Sequence, residues 1–266
     1  MTTQELWDQL THPPAPEDEL WSVFHENSKT TRHFLALPDA AVLARMRQLH
    51  ETLEYAQYPA VPLPERPRPL TAELGPVLRG RTSVREFAQS TVDFDALASV
   101  LHHAYAVNRP AGGGQPRSFR TTPSPGGLYP LEVYLHATGV TGLRSGLYHY
   151  DPAGAVLRHL HDGDLTRDLA ACYVQREIVT EARILVFLTA WFERATFKYG
   201  DRGYRFALLE AGHVAQNLGL AAAALGLGAV NLGGYFDHEL DDLLRLDGVT
   251  ASTVYSLALG PVAGDD

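Results

Sequence analysis

SGLYHYDPAGAVLRHL, residues 145–160, is the stretch on which the fold turns. Asp151-Pro152-Ala153-Gly154 has the composition of a tight turn, with Pro presetting φ and Gly sterically free, and strand-like runs flank it. The pair reads as an antiparallel hairpin. Working outward, helices are predicted at 72–79, 94–106, 164–176, 203–225 and 237–245, and strands at 131–137, 146–150, 155–160, 183–192, 228–233 and 252–259. No internal repeat is present. Strands that occur both as a hairpin and singly between helices predict an α+β or mixed-sheet fold.

Toward the N-terminus, residues 38–55 place Val42, Met46, Leu49 and Leu53 at helical spacing behind Asp39, a plausible N-cap. PAVPLPERPRP (59–69) follows, with five prolines in eleven positions, a composition for an extended strap lying along a surface. The expected organisation is a helical appendage with a Pro-rich strap at 1–70 and a main domain at 71–266. On the 203–225 helix, Ala211, Ala215, Gly219 and Ala223 form a small-residue stripe that would let another helix approach closely, as in a central or subunit-contact helix.

The chain has 266 residues, 45% hydrophobic and 20% charged, enough to bury a sizeable core. Its 22 basic and 31 acidic residues leave a net charge of −9, which repels a phosphate backbone on average and argues against nonspecific nucleic-acid binding. The longest apolar run is about half the ~20 residues of a membrane crossing, and residues 1–20 lack a targeting pattern, so a cytoplasmic protein without a membrane segment is expected. The single cysteine, Cys172, excludes an internal disulfide and any Cys-rich metal site, and reads as a small buried hydrophobe. Only Lys29 and Lys198 among the 22 basic residues are lysines, so each stands out.

Common catalytic signatures fail on spacing. Gly226 and Gly228 are followed by Asn231 and end a helix instead of opening one, which breaks the dinucleotide fingerprint. The glycines at 112–114 lead into Gln115-Pro116 with no Lys-Ser/Thr, so there is no phosphate loop of the Walker type. No serine sits in Gly-x-Ser-x-Gly, and Glu210 with His213 makes one Glu-x-x-His where a di-iron bundle needs two. No metal site is expected.

Three features remain. Arg81-x-Ser83-x-Arg85 places two guanidinium groups and a hydroxyl on one side of an extended segment, an arrangement suited to a phosphate and an adjoining polyol, although a solvated basic edge has the same pattern. Pro123-Ser124-Pro125-Gly126-Gly127 precedes a strand, and its glycines would let a flat ligand approach the backbone. Lys198-Tyr199 sits between the buried strand ILVFLTAWF and the long helix, where either group can act as acid or base. On that helix Glu210, His213 and Asn217 share a face and read as a buried network that holds it.

HENSKTTR (25–32), LPD (37–39), RTSVREF (81–87), PSPGGLYP (123–130), GLYHYDP (146–152), KYGDRGYRFALLEAGHVAQNLGL (198–220) and NLGGYFD (231–237) together resemble the SagB/McbC branch of the nitroreductase superfamily. These are the FMN-dependent azoline dehydrogenases of thiazole- and oxazole-containing peptide biosynthesis. The match is collinear from about residue 25 to LALGP at 257–261. The resemblance implies a nitroreductase-like fold, a mainly antiparallel sheet flanked by helices, FMN, and a homodimer built on a long central helix. It assigns Arg81 and Ser83 to the FMN phosphate and ribityl chain, and Arg85 to the cation beside the flavin ring. Pro123 and Ser124 become the loop that reaches the partner protomer's flavin, and the backbone of Leu232, Gly233 and Gly234 faces the reactive ring edge. Lys198 and Tyr199 become the catalytic pair. The implied activity is dehydrogenation of thiazoline or oxazoline rings in a peptide or carrier-bound substrate, with a cyclodehydratase as a possible partner. Alternatives within the resemblance are an NAD(P)H-dependent reductase of dehydroamino acids or small molecules, and a non-catalytic flavin-binding scaffold subunit.

Overall fold

A computed structural model of the chain describes residues 2–3, 7, 19–33, 36–112 and 117–264. Residues 113–116 of the glycine run, and most of the first eighteen, where no targeting pattern is read, lie outside them. The elements run α1 (Leu20–Asn27), α2 (Asp39–Gln48), β1 (Ala60–Pro62), α3 (Leu74–Gly80), β2 (Val92–Asp93), α4 (Phe94–Tyr105), β3 (Val107–Arg109) and β4 (Phe119–Arg120). There follow β5 (Leu131–Ala137), β6 (Val140–Thr141), β7 (Gly146–Asp151), β8 (Val156–Asp162), α5 (Thr166–Ala171), α6 (Arg176–Glu181) and β9 (Ile184–Trp191). The last are α7 (Glu193–Tyr199), α8 (Arg202–Ala224), β10 (Leu227–Leu232), α9 (Asp237–Leu244) and β11 (Ala251–Pro261).

The 145–160 stretch forms its hairpin. β7 and β8 pair antiparallel, and Asp151 Oδ1 closes the turn by accepting from Ala153 N and Gly154 N, each at 3.0 Å. The hairpin seeds a seven-stranded sheet ordered β1-β8-β7-β5-β9-β11-β10, antiparallel at every step. Parallel pairing among the described residues is confined to the short β2–β6 contact. The α+β expectation therefore holds.

Alternation explains how the sheet is covered on both faces. Val133, Leu135, Ile184, Val186, Leu188, Leu257 and Leu259 point into a core roofed by α4 and α8. Tyr134, Leu185, Phe187 and Ala258 point into a second core under α5, α6 and α9. A central strand buried on both sides has no polar face to show, which is why β9 reads as the unbroken run ILVFLTAW.

Four expectations are corrected. The helix expected over 38–55 ends at Gln48, because side chains from elsewhere take up the following backbone. Arg117 Nη2 donates to Leu49 O at 3.1 Å, Arg120 Nη2 to Glu51 O at 2.9 Å, and Leu53 N donates to Glu132 Oε1 at 2.9 Å. Part of the proline strap is a strand, Ala60–Pro62, added at the sheet edge where prolines do not interrupt a ladder. The helix expected over 164–176 is two, since Val174 N donates to Gly234 O at 2.9 Å and Cys172 O accepts from Phe236 N at 2.7 Å, pulling the chain between them onto the 234–236 loop. Finally, the small-residue stripe is not free for a partner: Ala211 and Ala215 are buried in this chain's own core, against the α4 side of the fold.

Candidate active site

The two ends of α8 organise the candidate residues. At its C-terminal end, the 81–85 segment runs extended beside β10. Val84 N donates to Ala229 O at 3.0 Å, and the Val84 side chain packs on Gly228. Val84 is thus turned inward, while Arg81, Ser83 and Arg85 are exposed. Arg85 Nη1 folds back to donate to Ser83 O at 3.2 Å. Beside Arg81, the small residues Gly80, Gly219, Ala223 and Gly226 leave a groove of about 220 Å³. An accessible cationic edge along a side-chain-poor groove fits the phosphate and ribityl chain of a flavin nucleotide.

At the N-terminal end of α8, the 123–130 loop and α7 meet. Gly126 and Gly127 adopt φ of 67° and 63°, the left-handed region in which a Cβ is disfavoured. A Cβ on Gly126 would stand 2.6 Å from the Tyr199 hydroxyl and 3.2 Å from Lys198 Nζ, so the pair lies directly against this turn of the loop. Lys198 and Tyr199 occupy the last turn of α7, a short helix rather than the bare strand-to-helix junction expected. The lysine amine is 5.2 Å from the Tyr199 ring centroid, and the Tyr199 ring meets Phe206 edge-on at 4.9 Å. Ser124 turns inward: its Oγ accepts from Tyr129 N at 2.9 Å and closes the loop.

Beneath the loop, Glu210 is wholly buried and accepts from Tyr105 Oη at 2.8 Å. Burial pushes its carboxyl up to about 7, against hydrogen bonds from Ser124 and Tyr105 and the nearby Arg120. Asn217 donates to Thr122 Oγ1 at 3.0 Å, so Glu210 and Asn217 do hold the helix in place. His213 is exposed and takes no part in that network.

Of the 232–234 loop, Leu232 is buried in the second core and its carbonyl accepts from Ser256 Oγ at 2.9 Å. Gly233 is exposed, and a Cβ there would meet nothing within 4 Å, while Gly234 lies against Val174. Open backbone is therefore offered at Gly233 and Gly234. The fold brings Lys198 and Tyr199 together with the 123–130 loop, but not with Arg81, Ser83 and Arg85. From Phe206, which Tyr199 touches, to Gly219, which lines the Arg81 groove, α8 rises about 20 Å.

Sequence reasoning missed the residues that hold this site together. Glu132 accepts from Arg194 Nη2 at 2.6 Å, Thr52 Oγ1 at 2.9 Å and Leu53 N at 2.9 Å, and pairs with His149 Nε2 at 2.6 Å. Arg117 and Arg120, both buried, tie the 46–51 backbone to the loop region. Isolated charged residues in strands and loops carry no local pattern that would mark them.

A two-sided antiparallel sheet thus carries an exposed groove beside Arg81 at one end of α8 and a Lys-Tyr pair on a glycine turn at the other. The chain belongs to the Nitroreductase family, whose profile matches residues 78–260. It is 36% identical over 190 residues to a protein of Methanocaldococcus jannaschii named as a nitroreductase, covering 71% of this chain and 90% of that one. It is 32% identical over 153 residues to the microcin B17-processing protein McbC of Escherichia coli, covering 55% of this chain and 56% of McbC. Among solved structures, the E. coli microcin synthetase McbBCD complex with truncated pro-MccB17 bound matches with a TM-score of 0.60 and 25% identity, over 88% of this chain and 100% of that one. The family is flavin-dependent. No helix among the described residues is long and apolar enough to cross a membrane.

Proposed function

We propose that this chain is an FMN-dependent dehydrogenase that converts thiazoline or oxazoline rings of a peptide substrate into aromatic azoles. The observation that carries the reading is the convergence of Lys198 Nζ and Tyr199 Oη on Gly126, which leaves a proton acceptor against an open turn of backbone. The similarity to McbC, a microcin-processing protein, supports the substrate class.

Aromatising the ring removes two hydrogens, one as a hydride and one as a proton from the adjacent carbon. Bound FMN supplies the two-electron acceptor, with dioxygen as the final oxidant. Arg81 and Ser83 would hold its phosphate and ribityl chain, Arg85 would set a positive charge beside its ring, and Gly233 and Gly234 would offer backbone to it. Lys198 and Tyr199 take the ring proton, a task for which an amine and a phenol in mutual reach are suited. Their place on the last turn of α7, against the loop, orients the acceptor toward a ring laid on that turn.

The two site halves stand at opposite ends of α8, an arrangement that a homodimer in which each copy completes the other's site would serve. The outer face of α8 suits such a contact, since Tyr204, Leu208 and Leu209 are exposed there. The peptide would be delivered by a partner that builds the azoline, a cyclodehydratase by its chemistry.

The test is direct: purified holoprotein incubated in air with a synthetic peptide carrying one thiazoline. A loss of two mass units from the peptide, dependent on FMN, is the expected result. An unchanged peptide together with rapid bleaching of the flavin by NADPH would replace this reading with that of a reductase.

A further inference from the structure

The two segments that carry the Lys-Tyr site meet directly at Gly126 and also share a third, α2, whose contact with both is a small core of its own. Val42 and Met46 on the inner face of α2 are 5% and 7% exposed and pack on Leu128 of the loop, which is fully buried. Phe197 and Tyr199 of α7 complete the cluster, which is separate from the two cores of the sheet. α2 is thus a wedge with the loop on one side and the Lys-Tyr helix on the other.

Hydrogen bonds and an ion pair fix the C-terminal half of the wedge. Arg117, 3% exposed, donates from Nη1 to Leu128 O at 2.6 Å and from Nη2 to Met46 O at 3.3 Å and Leu49 O at 3.1 Å. One guanidinium therefore reads the loop and the end of α2 together. Arg45 pairs with Glu193 at the start of α7. Downstream of α2, Thr52 and Leu53 reach Glu132, which also holds Arg194 of α7 and His149.

α7 needs such support. It has seven residues, far below the ~12–15 at which a helix holds itself, and Gly200 ends it at a φ of 55°. Its buried residues, Arg194 and Ala195, lie in its first half, whereas the Lys-Tyr pair lies at its end. What holds that end in place is Phe197 and Tyr199 packed on Met46 and Leu128.

We infer that Met46 is a positioning residue: α2 clamps α7 to the 123–130 loop and so sets where Tyr199 Oη and Lys198 Nζ stand relative to Gly126. The inference rests on the reading of Lys198 and Tyr199 as the proton-accepting pair. It assigns a task to α2, a segment outside the matched family region of 78–260.

The test compares Met46→Ala and Met46→Leu with wild type as FMN-loaded holoproteins. Hydrogen exchange followed by mass spectrometry should speed up at 123–130 and 193–199 in Met46→Ala and return to wild-type rates in Met46→Leu. FMN occupancy, read from visible absorbance, should not change. On the synthetic thiazoline peptide, Met46→Ala should lower kcat about 10-fold with KM held, since small misplacements of reacting groups are costly. In a Tyr199→Phe background the same substitution should cost less than in wild type, because one of the two groups it positions is already gone. Wild-type kcat in Met46→Ala, an equal loss in both backgrounds, or unaltered exchange at both segments would overturn the clamp. If wild type itself leaves the thiazoline intact, the functional reading falls, and the exchange experiment alone decides the clamp: faster exchange at both segments upholds it, unchanged exchange ends it.

Discussion

Arg194 Nη2 donates to Glu132 Oε1 at 2.6 Å, with both side chains almost entirely out of solvent. Glu132 lies two residues past the 123–130 loop, and Arg194 lies four before Lys198. The buried pair is therefore a second bond between the loop region and the Lys-Tyr helix. A charge pair of this kind is stable only because each Glu132 oxygen has further donors in Leu53, Thr52 and His149.

Removing one partner strands the other. Glu132→Ala leaves the Arg194 charge buried and should lower the unfolding free energy by about 3–5 kcal/mol, measured by urea titration. An unchanged midpoint would show that the network does not bear on stability.

The same carboxyl should impose an acid limit. Burial opposes its ionisation, but Arg194 and His149 outweigh burial and hold it at about 2, below its ordinary 4.5. The stabilisation is complete above about pH 4.5 and is lost as pH falls toward 2. Urea midpoints measured across that window should drop in wild type and drop less steeply in Glu132→Gln.

Glu210 should act in the opposite sense and in a different window. Its carboxyl is raised from 4.5 to about 7 by burial, so the folded chain keeps a proton that the unfolded chain has released. Stability should therefore decline as pH rises from about 4.5 to 7 and level off above. Glu210→Gln should remove that decline, on the order of 3 kcal/mol, as seen by urea unfolding at pH 5 and pH 8.

Gly126 and Gly127 separate backbone strain from collision. Alanine at either position pays for a positive φ, about 1–2 kcal/mol. At Gly126 alone the new methyl meets the Tyr199 hydroxyl, whereas at Gly127 its nearest neighbour is Phe119 at 3.7 Å. Gly126→Ala should thus lose turnover where Gly127→Ala loses only stability, and adding Tyr199→Phe should restore part of the stability of Gly126→Ala. Equal kinetics in the two alanine variants would separate the loop from the Lys-Tyr pair.

Cofactor binding and proton transfer should come apart by mutation. Arg81→Ala with Ser83→Ala should release FMN and its visible absorbance, while Lys198→Ala should keep the flavin and lose about 10²–10⁴ in azoline oxidation. A colourless Lys198→Ala protein would place that lysine in the flavin site instead.

How much of this was readable beforehand follows from the range of each signal. Alternation and helical spacing act over a few residues, and they placed β5, β7, β9, α4, α8 and α9 within one or two positions, along with the hairpin that makes the sheet antiparallel. The motifs singled out Arg81, Ser83, Arg85, the PSPGG loop and Lys198-Tyr199 as candidates, because each is a local cluster of unusual composition. Tertiary structure decided what depends on partners far along the chain. α2 ends at Gln48 because Arg117 and Arg120, about seventy residues away, take the next carbonyls. Ala211 and Ala215 face their own core, since a small-residue stripe states only that something comes close, not which helix. Lys198 and Tyr199 came to rest on Gly126 because β5 and β9 are neighbours in the sheet, a pairing set by the packing of both faces and by no residue within either strand alone.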